Sequence, residues 1–103
     1  RPYLEEGESR RPTLTWPRNI PLDGYEPKET LDTVKANAEF HSSSSIPKLF
    51  VNADPGLILT GDQREEIRSW NNLKEVTVKG NHFIQEDSSQ EITEYLKEFI
   101  SSL

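Results

Sequence analysis

Two kinds of apolar pattern alternate along the second half of the chain. Leu49-Phe50-Val51 is a continuous apolar run within Pro47 to Ala53, the pattern of a strand covered on both faces in a parallel sheet. Glu75-Val76-Thr77-Val78-Lys79 alternates and is β-branched, which predicts a second short strand. From about Ser89 to Ser102, the residues Ile92, Tyr95, Leu96, Phe99 and Ile100 recur at i, i+3, i+4, i+7 and i+8, with Leu103 just beyond. That spacing makes one apolar helix face. Ser88 and Glu91 in front of it read as a capping box, Ser88 as N-cap. Between the strands a helix is expected from Thr60 or Gly61 to Trp70, with Ile67 and Trp70 inward and Asn71-Asn72 closing it.

The first half is different. Pro2, Pro12, Pro17, Pro21 and Pro27 fall at short intervals and forbid any long helix across them. Leu14, Trp16, Ile20 and Leu22 are apolar among those prolines, which a disordered linker seldom shows. The expectation is an extended, ordered segment lying over something else. Pro27 suits the first turn of a helix, and Leu31, Val34 and Ala38 then form one narrow apolar stripe ending near Phe40. Ser42 to Ser45 is a polar connector. The order is helix, strand, helix, strand, helix. Two parallel strands need sheet neighbours and helices on both faces, so the missing strands must come from elsewhere.

Composition agrees. Only 32% of the 103 residues are hydrophobic, against roughly 45–50% in ordinary domains on a count that includes glycine. Mean hydropathy is −0.78. The first half could hardly bury a core of its own, and the start at Arg1-Pro2-Tyr3 reads as mid-protein. A formal net charge of −6 repels phosphate backbones and argues against nucleic acid. No run approaches the roughly 18 apolar residues a membrane span needs. The absence of cysteine excludes disulfides and thiolate metal sites, and His41 and His82 are too far apart for a local metal pair. No metal or cofactor is expected. The compartment stays open, with a soluble, cytoplasmic chain as the default expectation.

His82 stands in Gly80-Asn81-His82-Phe83, after the second strand and before the last helix. That is where α/β-hydrolases keep a general base; a surface loop histidine is the alternative. A base needs an acid that orients its imidazole. Asp54, at the carboxyl end of the first strand, has two readings: triad acid, or turn aspartate before Pro55-Gly56. Leu57, Ile58 and Phe83 flank these positions and suggest a dry pocket for an apolar substrate, or plain core under a loop. Gln85, Glu86 and Asp87 sit near a helix N-terminus, where acceptors serve a structural end. There is no Gly-x-Ser-x-Gly, phosphate loop or dinucleotide fingerprint, so covalent catalysis is beyond this chain alone.

These segments resemble the C-terminal third of haloalkane dehalogenases and of the related coelenterazine-using Renilla-type luciferase. The resemblance is carried by Arg1-Pro2-Tyr3-Leu4, by Arg10-Arg11-Pro12-Thr13-Leu14-Thr15-Trp16-Pro17-Arg18 with Ile20-Pro21, by Ile46 through Gly56, and by His82-Phe83 with Gln85-Glu86-Asp87-Ser88. It implies the C-terminal part of an α/β-hydrolase fold, incomplete alone. Residues 1–25 would end a helical cap and return to the main domain, and residues 26–103 would belong to that domain. It implies hydrolysis of a carbon–halogen bond through an alkyl-enzyme ester. A small halogenated hydrocarbon would be the substrate and halide a product. The remainder of the hydrolase, a second chain or another segment, would complete the enzyme. His82 matches the base, Pro17 and Ile20 match cap positions lining the cavity, and Leu57, Ile58 and Phe83 match main-domain positions lining it. In the subfamily most resembled, the triad acid is a Glu after an earlier strand, so Asp54 would not be that acid. Asn81 departs from the small or apolar residue usual beside the base. A luciferase-like monooxygenase, and a non-catalytic interaction module, are the other functional readings.

Overall fold

The structure, a computed structural model, describes residues 5–20, 22, 24 and 27–103. Arg1 to Leu4 and Pro21, which help carry the resemblance, lie outside the described residues, as do Tyr25 and Glu26 on either side of the expected domain boundary. The chain divides into two compact units, Arg1–Phe40 and His41–Leu103.

In the first unit the proline-punctuated segment is helical, not extended, between Glu8 and Arg18. A 3₁₀ turn at Glu8–Arg10 leads into α1, Arg11–Arg18. Pro12 lies in the first turn of α1, where a missing N–H costs nothing because that group has no intrahelical partner. Pro17 falls near the end, where it removes one helical bond and the helix stops a residue later. Prolines therefore limit α1 to two turns without preventing it. Asn19 Nδ2 closes it by donating to the Thr15 carbonyl at 2.8 Å. Trp16 is 80% exposed within this unit. The second helix, α2, is Lys28–Ser43. It runs three residues past the expected stop, so Ser42 and Ser43 belong to the helix and not to the connector.

The second unit is built on a two-stranded parallel sheet. Strand β1 is Lys48–Pro55 and β2 is Leu73–Gly80, paired in register from Lys48 opposite Leu73 to Pro55 opposite Gly80. Both strands exceed their apolar cores because pairing, not hydrophobicity, carries Asp54-Pro55 and Lys79-Gly80 to the carboxyl edge. The connecting helix α3 is Gly61–Arg68, shorter than expected. The N–H of Ser69 and of Trp70 closes its last turn, and Asn71-Asn72 forms the turn into β2. Asn72 takes a positive φ of 53°, a conformation Asn tolerates better than most residues. Its Nδ2 donates to the Ser45 carbonyl at 2.6 Å, and Lys48 Nζ donates to the carbonyls of Ser44, Ile46 and Asn71 at 2.8–2.9 Å. One ammonium thus ties the two turns at the amino edge of the sheet.

Beyond β2 the chain forms a single helical turn, α4 at Ile84–Asp87, and then α5 at Ser89–Ser101. The capping box is not formed. Ser88 makes no side-chain cap bond; its hydroxyl donates to the Lys79 carbonyl at 2.7 Å and the residue is buried. The intervening turn of α4 puts Ser88 beside the end of β2, and a hydroxyl there satisfies a strand carbonyl that capping would leave open. Arg68 reaches from α3 to β2 and donates to both carboxylate oxygens of Glu75, at 2.9 and 2.7 Å. Those hydrogen bonds hold the Glu75 carboxyl below the usual carboxylate range, against a smaller opposing effect of burial.

Burial is thin. Among the described residues only Phe50 and Val78 are buried apolar side chains, and neither is completely enclosed. On α5, Ile92, Tyr95 and Phe99 are half-buried while Leu96 and Ile100, and Leu103 just beyond the helix, are exposed. A parallel sheet of two strands leaves most of its faces open, which is the expected partial α/β-hydrolase architecture.

Candidate active site

Three local features place His82. The parallel register brings Pro55 and Gly80 level at the carboxyl edge of the sheet. There the Gly56 N–H donates to the Gly80 carbonyl at 3.1 Å, joining the loop after β1 to the loop after β2. Gly80 has a φ of 148°, and a Cβ on it would lie 2.9 Å from Ile84 Cγ2 and 3.0 Å from Asp87 Oδ2. Only glycine lets the chain turn so close beneath α4. The turn then closes downstream, where the Glu86 N–H donates to the Phe83 carbonyl at 2.9 Å and the Ser88 N–H to that of Ile84 at 2.8 Å.

His82 lines a cavity of about 270 Å³ at this edge, together with Leu57, Ile58, Leu59, Phe50 and Asn81 among others. Of the residues expected to form an apolar pocket, Leu57 and Ile58 are in it with His82. Phe83 is not among the lining residues; its ring packs against the imidazole, centroids 4.5 Å apart and planes tilted by 60°. Pro17 and Ile20 belong to the first unit, where Ile20 lines a separate groove with Trp16 and Asn19. Asn81, the one polar departure noted beside the base, lines the cavity too.

The imidazole of His82 is exposed, and among the described residues it forms no hydrogen bond. Asp54 is also exposed, at the end of β1 before a cis peptide bond to Pro55, and its carboxylate forms none with His82. The ring is therefore positioned by its backbone and by Phe83. Among the described residues no group of three or more His, Asp or Glu side chains converges as a metal site, and no helix is long and apolar enough to cross a membrane.

Sequence reasoning missed Arg64. It stands in the charged run Asp62 to Glu66, where an arginine reads as a solvated helix face. In the structure it is half-buried and its guanidinium donates to three carbonyls, Leu59 at 3.1 Å, Ala53 at 3.0 Å and Pro55 at 3.3 Å. The available signal was the apolar loop Leu57-Ile58-Leu59, whose carbonyls need donors that its own side chains cannot supply.

Parallel strands, a ligand-sized cavity outside their carboxyl ends and a histidine in the loop after the second strand define the C-terminal part of an α/β-hydrolase. The comparisons narrow this. A haloalkane dehalogenase of Mycolicibacterium smegmatis is 49% identical over 105 aligned residues, covering all of this chain and 33% of that protein. The coelenterazine h 2-monooxygenase of Renilla reniformis is 41% identical over 96% of the chain and 32% of its own length. The crystal structure of the haloalkane dehalogenase DatA from Agrobacterium tumefaciens C58 superimposes with a TM-score of 0.74 at 30% identity, covering 91% of this chain and 33% of that one. No family model matches. The chain spans about a third of the length of these relatives. In sequence and in fold the chain is similar to the C-terminal third of those proteins.

Proposed function

We propose that this chain is the C-terminal third of a haloalkane dehalogenase and supplies its general base, His82. The observation that carries this is the placement of His82 in one apolar cavity with Leu57 and Ile58 at the carboxyl edge of the sheet. An aspartate outside this chain attacks the halogen-bearing carbon, and the carbon–halogen bond breaks with its electron pair leaving as halide. This step needs no base, because a carboxylate is already ionised near neutral pH. Hydrolysis of the resulting ester does need one, since water is a weak nucleophile. His82 takes a proton as the water oxygen adds to the ester carbonyl. The tetrahedral intermediate then expels the alkoxide, which leaves as alcohol after taking the proton held by His82, and the carboxylic acid left behind loses its proton to solvent, restoring the carboxylate. The acid that orients His82 also comes from outside the chain, and Asp54 is the turn residue before Pro55. The apolar loop keeps bulk water from the ester.

The 41% identity to the Renilla enzyme supports a second reading, a coelenterazine-dependent monooxygenase using the same pocket. The full-length protein carrying this chain, given a brominated alkane, should release bromide and the matching alcohol, and should emit no light with coelenterazine and dioxygen. Light without bromide release would select the monooxygenase and remove the dehalogenase.

A further inference from the structure

We propose that Arg64 is a positioning residue for His82, acting through the loop that follows β1. The inference rests on the reading of His82 as the base for ester hydrolysis. Arg64 forms no ion pair among the described residues, and its three hydrogen bonds all go to carbonyls of one short stretch, Ala53, Pro55 and Leu59. Nη2 holds the carboxyl end of β1, and Nε holds the far side of the loop. The guanidinium is a rigid planar fork, so the two ends of the loop are fixed relative to each other. Gly56 lies between them and fits against the fork: a Cβ there would stand 2.8 Å from Arg64 Nη2 and 2.9 Å from the Ala53 carbonyl.

The consequence for His82 runs through one bond. The Gly56 N–H donates to the Gly80 carbonyl, two residues before the base. The imidazole forms no hydrogen bond to a described residue, so within this chain its aim is set by that backbone and by the Phe83 ring, and the orienting acid outside the chain must meet it there. Arg64 therefore sets where Gly56 holds Gly80, and Gly80 sets where His82 meets the ester. Leu57, Ile58 and Leu59 line the cavity, so the same clamp also shapes the wall facing the base.

The test uses the full-length protein with Arg64→Met and Arg64→Lys, and with Arg68→Met as a control one turn along α3. Rapid-mix halide release separates the first step, which needs no base, from the second, which does. Arg64→Met should keep an initial release of about one halide per active site, with the steady rate that follows lowered about 10- to 100-fold, the range a misplaced group typically costs. Arg64→Lys, able to reach some of the carbonyls, should fall between. Arg68→Met should leave the ratio of steady rate to initial release at the wild-type value. A purely structural role for Arg64 would instead lower both phases together, because only the folded fraction would react, and that result overturns the proposal. Amide hydrogen exchange gives a readout independent of activity. In Arg64→Met it should quicken at residues 56–60 and also at 80–83, with α5 unchanged. Quickening at 56–60 alone overturns the proposal whatever the kinetics show. If the wild-type protein releases no halide but both loops quicken together, the dehalogenase reading fails and the coupling of Arg64 to the His82 loop stands.

Discussion

Replacing Gly80 with alanine tests how tightly the loop of His82 is built. The backbone at Gly80 has a φ of 148°, a region that costs an L-residue roughly 1–3 kcal/mol. The new methyl would also stand 2.9 Å from Ile84 Cγ2 and 3.0 Å from Asp87 Oδ2. Both atoms belong to α4, a turn fixed by the Ser88 N–H bond to the Ile84 carbonyl at 2.8 Å, so it cannot yield freely. Forcing a methyl into such a fit costs roughly another 1–3 kcal/mol. The two add to about 2–6 kcal/mol. In a full-length protein roughly three times as long as this chain, that lowers the thermal midpoint by on the order of 3–9 °C. Calorimetry of Gly80→Ala, Ile84→Ala and the double variant separates the causes. Trimming Ile84 relieves the contact but not the dihedral, so the double variant should be more stable than the two single losses added together, by about 1 kcal/mol or more. A midpoint for Gly80→Ala within 1 °C of wild type, with no coupling in the cycle, would refute this account of the loop.

Expressed alone, the 103-residue chain should show no cooperative thermal transition by circular dichroism and should bind a hydrophobic dye, since Phe50 and Val78 are the only buried apolar side chains among its described residues. A sharp melt of the monomer would contradict this. Glu75 makes stability depend on pH in a defined direction. Its folded-state carboxyl lies below the usual range because Arg68 donates to it, so its contribution is present above about pH 4.3 and is lost as the pH falls through the folded value. Glu75→Gln should therefore lower the midpoint at pH 7, and the gap to wild type should narrow as the pH falls below about 4.3; a difference that stays constant as the pH falls would count against the pairing.

Much of this fold could be read from residue order alone. Leu49-Phe50-Val51 and the alternation at Glu75 to Lys79 marked both strands, and the apolar spacing after Ser89 marked α5. What escaped depended on partners distant in sequence. Ser88 looked like a cap because Glu91 follows at the right spacing, but the Lys79 carbonyl lies nearer in space. Pro12 and Pro17 looked like helix breakers, yet one sits in a first turn and the other near the last. The strand ends at Asp54-Pro55 and Lys79-Gly80 carry no apolar signal, because register extends them. At the site, His82, Leu57 and Ile58 were legible from loop position and polarity. Arg64 was not, because a charged residue on a charged helix gives no hint that its acceptors are carbonyls in the preceding loop.

The most direct measurement of the central claim is the fate of the covalent intermediate when His82 is replaced by phenylalanine in the full-length protein. Carboxylate attack needs no proton transfer, and hydrolysis does. His82→Phe should release about one halide per active site and then stop, and intact-protein mass spectrometry should show the enzyme heavier by the alkyl group of the substrate. Continued turnover near the wild-type rate, with no alkylated protein, would contradict a role for His82 as the base.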